Sequence, residues 1–213
     1  MPVRNLDLHG NAPDYSPVVL LLIDVINDLE FPGGDKLLPF AQEMAGNLAA
    51  FKERCRDAGI SSVYVNDNFG RWRSDFNVQI SRCSQPGVPG AEIVKLLLPA
   101  PDDYFVLKPK NSGFFSTTLD LLLNALHAER LILTGLTGNN CVLFTAHDAY
   151  IRDYQLLIPS DCIASPSETE NQFALQQMRT LLKADVRDSS EFDLRELLAE
   201  NDSELSVNRH HFQ

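Results

Sequence analysis

The sequence is short of positive charge, short of histidine, and without any apolar run long enough to cross a bilayer. Its 18 Lys and Arg stand against 29 Asp and Glu, a formal charge of −11. So acidic a chain is a poor match for a nucleic-acid backbone or an anionic membrane surface, and neither is expected as a partner. Its most apolar stretch, residues 18–23, falls far below the roughly 20 residues of a spanning helix. The opening MPVRNLDLHGNAPDYSP has no apolar segment of the export type, so a cytoplasmic location is expected. Cysteine occurs only at 55, 83, 141 and 162, with no C-x-x-C pair and no metal-finger spacing. In a cytoplasm these are reduced thiols. No G-x-G-x-x-G follows the first apolar run, and the Gly33–Gly34 pair is isolated, so the dinucleotide-binding fingerprint is missing.

Against these absences stands an ordinary globular composition. The 213 residues suffice for one α/β core and are few for two, so one domain over 1–213 is expected. Residues 1–16 read as a polar arm and 200–213 as a tail. PVVLLLID over 17–24 is continuously apolar rather than alternating, which suits a parallel strand covered on both faces. Residues 37–58 carry Met44, Leu48, Phe51 and Cys55 on one helical face. A second strand follows at 60–65. The stretch 66–90 reads as a long irregular segment, of the kind that is functional when ordered, and Cys83 as a loop thiol within it. Further strands are expected at 104–107, 131–134, 155–158 and 184–186. Helices are expected at 91–98, 117–128 (capped by Ser116 or Thr117), from about 139 or 140, at 167–183, and briefly at 193–199. This alternation specifies an α/β class: a doubly wound, six-stranded, mostly parallel sheet with helices on both faces, for which the order 3-2-1-4-5-6 is expected.

The most informative stretch is residues 131–154, LILTGLTGNNCVLFTAHDAYIRDY. A buried strand stops at Thr134 and Gly135, and a helix opens close to Cys141. A thiol in a helix's first turn meets the positive end of the dipole and unpaired backbone N–H groups. Both favour a thiolate and an adjacent oxyanion. The competing reading is a small apolar residue packed between helix and sheet. Two other residues with proton chemistry, Asp24 and Lys108, also end apolar strands, where ligand crevices of open parallel sheets lie. Each alone reads equally as a turn residue or a surface charge. His147, six residues beyond Cys141, points away from the thiol on a helix and reads as structural.

Four motifs in order make the sequence resemble the isochorismatase-like cysteine hydrolases, which include nicotinamidases, N-carbamoylsarcosine amidases and ureidoacrylate amidases. They are Asp24-VIND-Leu29 after an apolar strand, Lys108-PKN-Ser112-Gly-Phe114, Gly135-LTGNN-Cys141 with Ala146-HD-Ala149, and Ser160-DCIA-Ser165. The resemblance spans residues 18–186. It implies a triad of Asp24, Lys108 and Cys141, with backbone N–H groups of Thr137 and Cys141 as oxyanion donors and a cis Leu136–Thr137 peptide. It also implies a small amide-type substrate and assembly into a homo-oligomer. Asn68, Phe69, Trp72 and Phe114 are candidate substrate contacts, with core packing the other reading of Phe114. The nicotinamidase-type members bind a metal through Asp-x-His and a further histidine. Here the region reads Asn66-DNFGR-Trp72, with no histidine between His9 and His127, so no metal and no cofactor are expected. The glutamine usual two residues after the aspartate is Ile26. The implied activity is a metal-independent, thioester-forming hydrolysis of a C–N bond in a small amide or ureido compound. An Asp24-led vinyl-ether hydrolase and a non-catalytic binding member are the alternatives.

Overall fold

A computed structural model describes residues 12–70 and 75–199; Trp72, most of the N-terminal arm and the tail lie outside the described residues. Five parallel strands line up as β3-β2-β1-β4-β5: β1 is Val18–Ile23, β2 Ser61–Asp67, β3 Tyr104–Lys108, β4 Arg130–Leu136 and β5 Gln155–Leu157. A two-residue β6, Ile163–Ala164, pairs with the end of β4 through Gly135 and Leu136. The expected strand at 184–186 is a single parallel bridge, Leu157 to Asp185, on the outer side of β5. The sheet thus runs in the expected order, its last position reduced to one bridge. Among the described residues no helix is long and apolar enough to cross a membrane.

The unbroken apolar reading of β1 has a direct cause, since all six of its side chains are fully buried. Alternate residues feed two separate cores. Leu20, Leu22, Tyr64 and Ile132 face one core, shared with α1 (Gly34–Asp57), α2 (Phe76–Cys83) and α3 (Ala91–Leu96). Leu21, Ile23, Val63, Val65, Leu131 and Leu133 face the other, shared with α4 (Leu119–Ala125), α5 (Leu143–Tyr150) and α6 (Glu168–Leu181). A strand buried on both faces has no polar side to mark it, so length and β-branching identify it instead of alternation.

Two local expectations are corrected. The segment 66–90 is not irregular throughout, because it contains α2. Asp75 caps that helix by accepting from Val78 N at 2.9 Å, and Phe76, Gln79 and Cys83 form its buried face. Eight residues with a glutamine on the inner face leave little apolar periodicity to read. Cys83 is accordingly a buried helix thiol rather than a loop thiol. Before α4 it is the Thr117 hydroxyl that accepts from Leu119 N, at 3.2 Å. The end of the N-terminal arm is tied to its own sheet: buried Ser16 donates to Val18 O and accepts from Ser61 N.

Candidate active site

Parallel strands end together, and three of these ends deliver the site's polar groups. Asp24 immediately follows β1, Asp67 closes β2, and Lys108 closes β3. Asp24 takes a left-handed backbone, φ 52°, which aspartate tolerates better than most residues. Its N–H donates to Val65 O at 3.0 Å, and its Oδ1 accepts from Asp67 N at 2.6 Å. The carboxylate is thereby held against the neighbouring strand.

The loop beyond Asp24 is held by a residue that carries no motif. Asn66 is fully buried; its Oδ1 accepts from Ile26 N at 3.1 Å and its Nδ2 donates to Ile26 O at 2.8 Å. Ile26 itself is fully buried in the first core. The side chain at this position thus turns inward, and Asn66 on the next strand supplies the hydrogen bonds that hold its backbone.

Cys141 arrives on a widened turn. Gly138–Val142 forms one turn of π-helix before α5, with Asn140 N and Val142 N both donating to Thr137 O, at 3.0 and 3.1 Å. Such single π turns recur at functional sites because they displace one residue from the regular helical ladder. The Leu136–Thr137 peptide is cis. Gly138 is required by space, since a Cβ there would stand 2.6 Å from Asn171 Oδ1 and 2.9 Å from Ser165 Oγ. Ser165 also accepts from Asn139 N at 3.1 Å, which gives the fourth motif a structural purpose. Thr145 Oγ1 donates to Cys141 O at 2.7 Å and accepts from Gly113 N at 3.0 Å. Ser112 Oγ donates to Asp148, a second tie between the Lys108 loop and α5.

At the centre, Lys108 Nζ lies 2.9 Å from Asp24 Oδ2, 3.4 Å from Cys141 Sγ, 3.2 Å from Lys110 O and 3.6 Å from Asp67 Oδ2. Lys108 is 0% exposed and Asp24 5%, while Cys141 is only partly covered. Asp24, Lys108 and Cys141 are therefore in mutual reach, with the sulfur the most accessible of the three.

The electrostatics follow from this burial. Desolvation raises the Asp24 carboxyl above the ordinary carboxylate range, against the opposing pull of the Lys108 ammonium. Desolvation pulls Lys108 the other way, yet Asp24, Cys141 and Asp67 together outweigh it, and the ammonium holds its proton more tightly than usual. Burial, followed by the Asp24 charge, pushes the Cys141 thiol up to about 12 despite Lys108. A resting thiol that keeps its proton beside a carboxylate with raised proton affinity is an arrangement for transferring that proton within the site. It is not one that stores a free thiolate.

The candidate contacts divide. Asn68 is buried, its N–H donating to Lys108 O at 3.0 Å and its Oδ1 accepting from Gly70 N at 2.9 Å. Phe69 is half-buried beside it with φ 51°, and its N–H donates to Asp67 Oδ1 at 2.6 Å. Phe114 is corrected to a core residue. It is 5% exposed in the second core, stacked on Tyr154 at 6.1 Å with Arg152 over its ring at 4.6 Å. Tyr154 precedes β5, at the end of the sheet opposite the crevice. Ser112 turns the chain by accepting from Phe114 N, and that sends the ring inward. His147 is exposed on α5. Among the described residues no group of three or more His, Cys, Asp or Glu is disposed to hold a metal ion.

The isochorismatase domain matches residues 18–212. The isochorismatase family protein YaaI of Bacillus subtilis is 39% identical over 167 residues, covering 78% of this chain and 91% of YaaI. The N-carbamoylsarcosine amidase of Arthrobacter sp is 26% identical over 164 residues, 73% of this chain and 60% of that protein. The crystal structure of N-carbamoylsarcosine amidase from Thermoplasma acidophilum superposes with a TM-score of 0.64 at 28% identity, over 83% of this chain and 98% of that one. With a domain match running through nearly the whole sheet and a relative of this identity, the chain belongs to the isochorismatase family.

Proposed function

We propose that this chain is a metal-independent cysteine hydrolase that cleaves a C–N bond in a small amide or ureido compound. The observation that carries the reading is the position of Lys108 Nζ, 2.9 Å from Asp24 Oδ2 and 3.4 Å from Cys141 Sγ. Cys141 Sγ attacks the carbonyl carbon as its proton passes to Asp24. The C=O π electrons move onto oxygen, and the N–H groups of Thr137 and Cys141 stabilise that oxyanion. Collapse re-forms the C=O and breaks the C–N bond, and the leaving nitrogen takes the proton from Asp24. Water then attacks the thioester, its proton returning through Asp24 to sulfur, and the acid departs. The net change is amide plus water to carboxylic acid plus amine or ammonia.

Lys108 keeps both partners in register and favours the negative charge that moves between them. Asn68 and Phe69 border the crevice and are the proposed substrate contacts among the described residues. The amidase names of two similar proteins fit acyl chemistry, while similar proteins named for phenazine biosynthesis fit the Asp24-led alternative. The four unpaired thiols suit a cytoplasmic protein working as one domain.

A screen of small amides and ureido compounds with ammonia release as readout tests the reading. A hit whose turnover disappears in Cys141→Ala and in Asp24→Asn supports it. A hit hydrolysed equally well by Cys141→Ala but not by Asp24→Asn would replace it with an Asp24-led hydrolysis that forms no thioester.

A further inference from the structure

Lys108 sits between two carboxylates, and only one of them has been given a task. Asp24 reaches it from the end of β1 at 2.9 Å; Asp67 reaches it from the end of β2 at 3.6 Å. Asp67 is oriented for this. Its Oδ1 accepts from Phe69 N at 2.6 Å, which leaves Oδ2 toward the ammonium, and its own N–H donates to Asp24 Oδ1 at 2.6 Å. The titratable groups facing Lys108 are Asp24, Cys141 and Asp67, and those facing Asp24 are Lys108 and Cys141, with the Asp67 backbone.

We propose that Asp67 is a positioning residue of this site, supplying the second negative charge that lets Asp24 accept and keep the proton released by Cys141. The proposal rests on the cysteine-hydrolase reading and adds a residue to it. Its basis is charge accounting around a fully buried ammonium with a partly exposed Asp67 beside it. With both carboxylates ionised and Lys108 charged, the three groups carry one net negative charge, and the thiol proton arriving on Asp24 brings them to zero as the negative charge passes to the substrate oxygen. Without Asp67 the same transfer takes Asp24 and Lys108 from neutral to one net positive charge, leaving the ammonium with no carboxylate beside it. A carboxyl facing an otherwise uncompensated ammonium holds its proton more weakly, so Asp24 would give up the thiol proton more readily than it does beside Asp67. The donors of the ammonium agree with this division. Its three hydrogens are matched by Asp24, Lys110 O and Cys141 Sγ, and Asp67 is the reserve partner once Asp24 is protonated and the sulfur acylated.

A lone exposed turn would also account for the Asp67–Phe69 bond, but not for the second oxygen facing a fully buried ammonium.

Alkylation by iodoacetamide tests the idea without knowledge of the substrate. The S–C bond forms, the C–I bond breaks, iodide leaves, and the thiol proton goes either to Asp24 or to solvent. The rate of Cys141 alkylation is followed between pH 5 and 9 by mass spectrometry of the labelled chain. For the wild-type chain the rate rises as pH passes the point where Asp24 gives up its own proton and becomes free to take that of the thiol. Asp67→Asn keeps the acceptor for Phe69 N but removes the charge, and its curve should lie about one pH unit lower, a tenfold loss of proton affinity. Asp67→Glu should return toward wild type. Asp67→Ser, whose hydroxyl also accepts from Phe69 N, should follow Asp67→Asn and guards against a folding defect in one variant. Coincident curves for wild type, Asp67→Asn and Asp67→Ser overturn the role of Asp67 while leaving the hydrolase reading intact. Labelling that is unchanged in Cys141→Ala overturns both.

Discussion

Asn66 and Ile26 are joined by a pair of hydrogen bonds that imitates one rung of a sheet. The buried carboxamide of Asn66 accepts from Ile26 N at 3.1 Å and donates to Ile26 O at 2.8 Å. Ile26 lies two residues beyond Asp24, so this clamp holds the exit of β1 where the carboxylate must point.

Breaking the clamp should cost stability and geometry together. Asn66→Leu orphans two buried backbone groups, each worth about 1–3 kcal/mol, so urea denaturation should give a loss of about 2–6 kcal/mol. Asn66→Asp keeps the bond from Ile26 N but buries an unpaired carboxylate against Ile26 O, and should cost at least as much as Asn66→Leu. The loss of Cys141 alkylation by iodoacetamide should follow the same order. Equal stability in wild type and Asn66→Leu would contradict the clamp.

The Asp24–Lys108 pair separates structural from chemical roles. Lys108→Met leaves a buried carboxylate without its partner, and such a break costs about 3–5 kcal/mol. Adding Asp24→Asn removes the stranded charge. The double variant should regain most of the stability, measured by equilibrium denaturation, yet show no recovery of amide turnover. Recovery of both would reduce the pair to a folding device.

Alkaline pH offers a check on the buried thiols. Burial is the first cause of the shift at both Cys55 and Cys141, and each stands at about 12, above the ordinary thiol value. The folded chain therefore binds more protons than the unfolded chain between roughly pH 9 and 12. With more protons on the native side, stability is fully present below the unfolded thiol value and falls as pH rises through that window. The limiting slope is about 1.4 kcal/mol per pH unit for each full proton of difference. Chemical denaturation from pH 8 to 11 should show the decline, and Cys55→Ala should make it shallower. A flat stability across that range would count against both shifts.

How much of the site could be read from the chain differs by residue. Asp24, Lys108 and Cys141 were legible because each follows an apolar strand and sits inside a spaced motif. Asn66 and Asp67 were not, since an asparagine and an aspartate after a strand look like turn chemistry until the neighbouring strand end is known. Phe114 could be read either way. Only the Ser112 turn, which sends its ring toward Tyr154, made it a core residue. Helix α2 was hidden by its brevity and by a buried Gln79 on its inner face.

By itself, the order of apolar strands and amphipathic helices determined the α/β class and the three candidate residues that follow strands. Those are consequences of local periodicity and chain connectivity, which a sequence records directly. The tertiary structure alone decided that Lys108 is fully buried between two carboxylates and that the sulfur of Cys141 lies 3.4 Å from it. It also decided that a glycine is needed at 138, where Asn171 and Ser165 crowd the turn. These depend on distances between segments far apart in the chain, and on the desolvation that packing imposes, neither of which has a local signature.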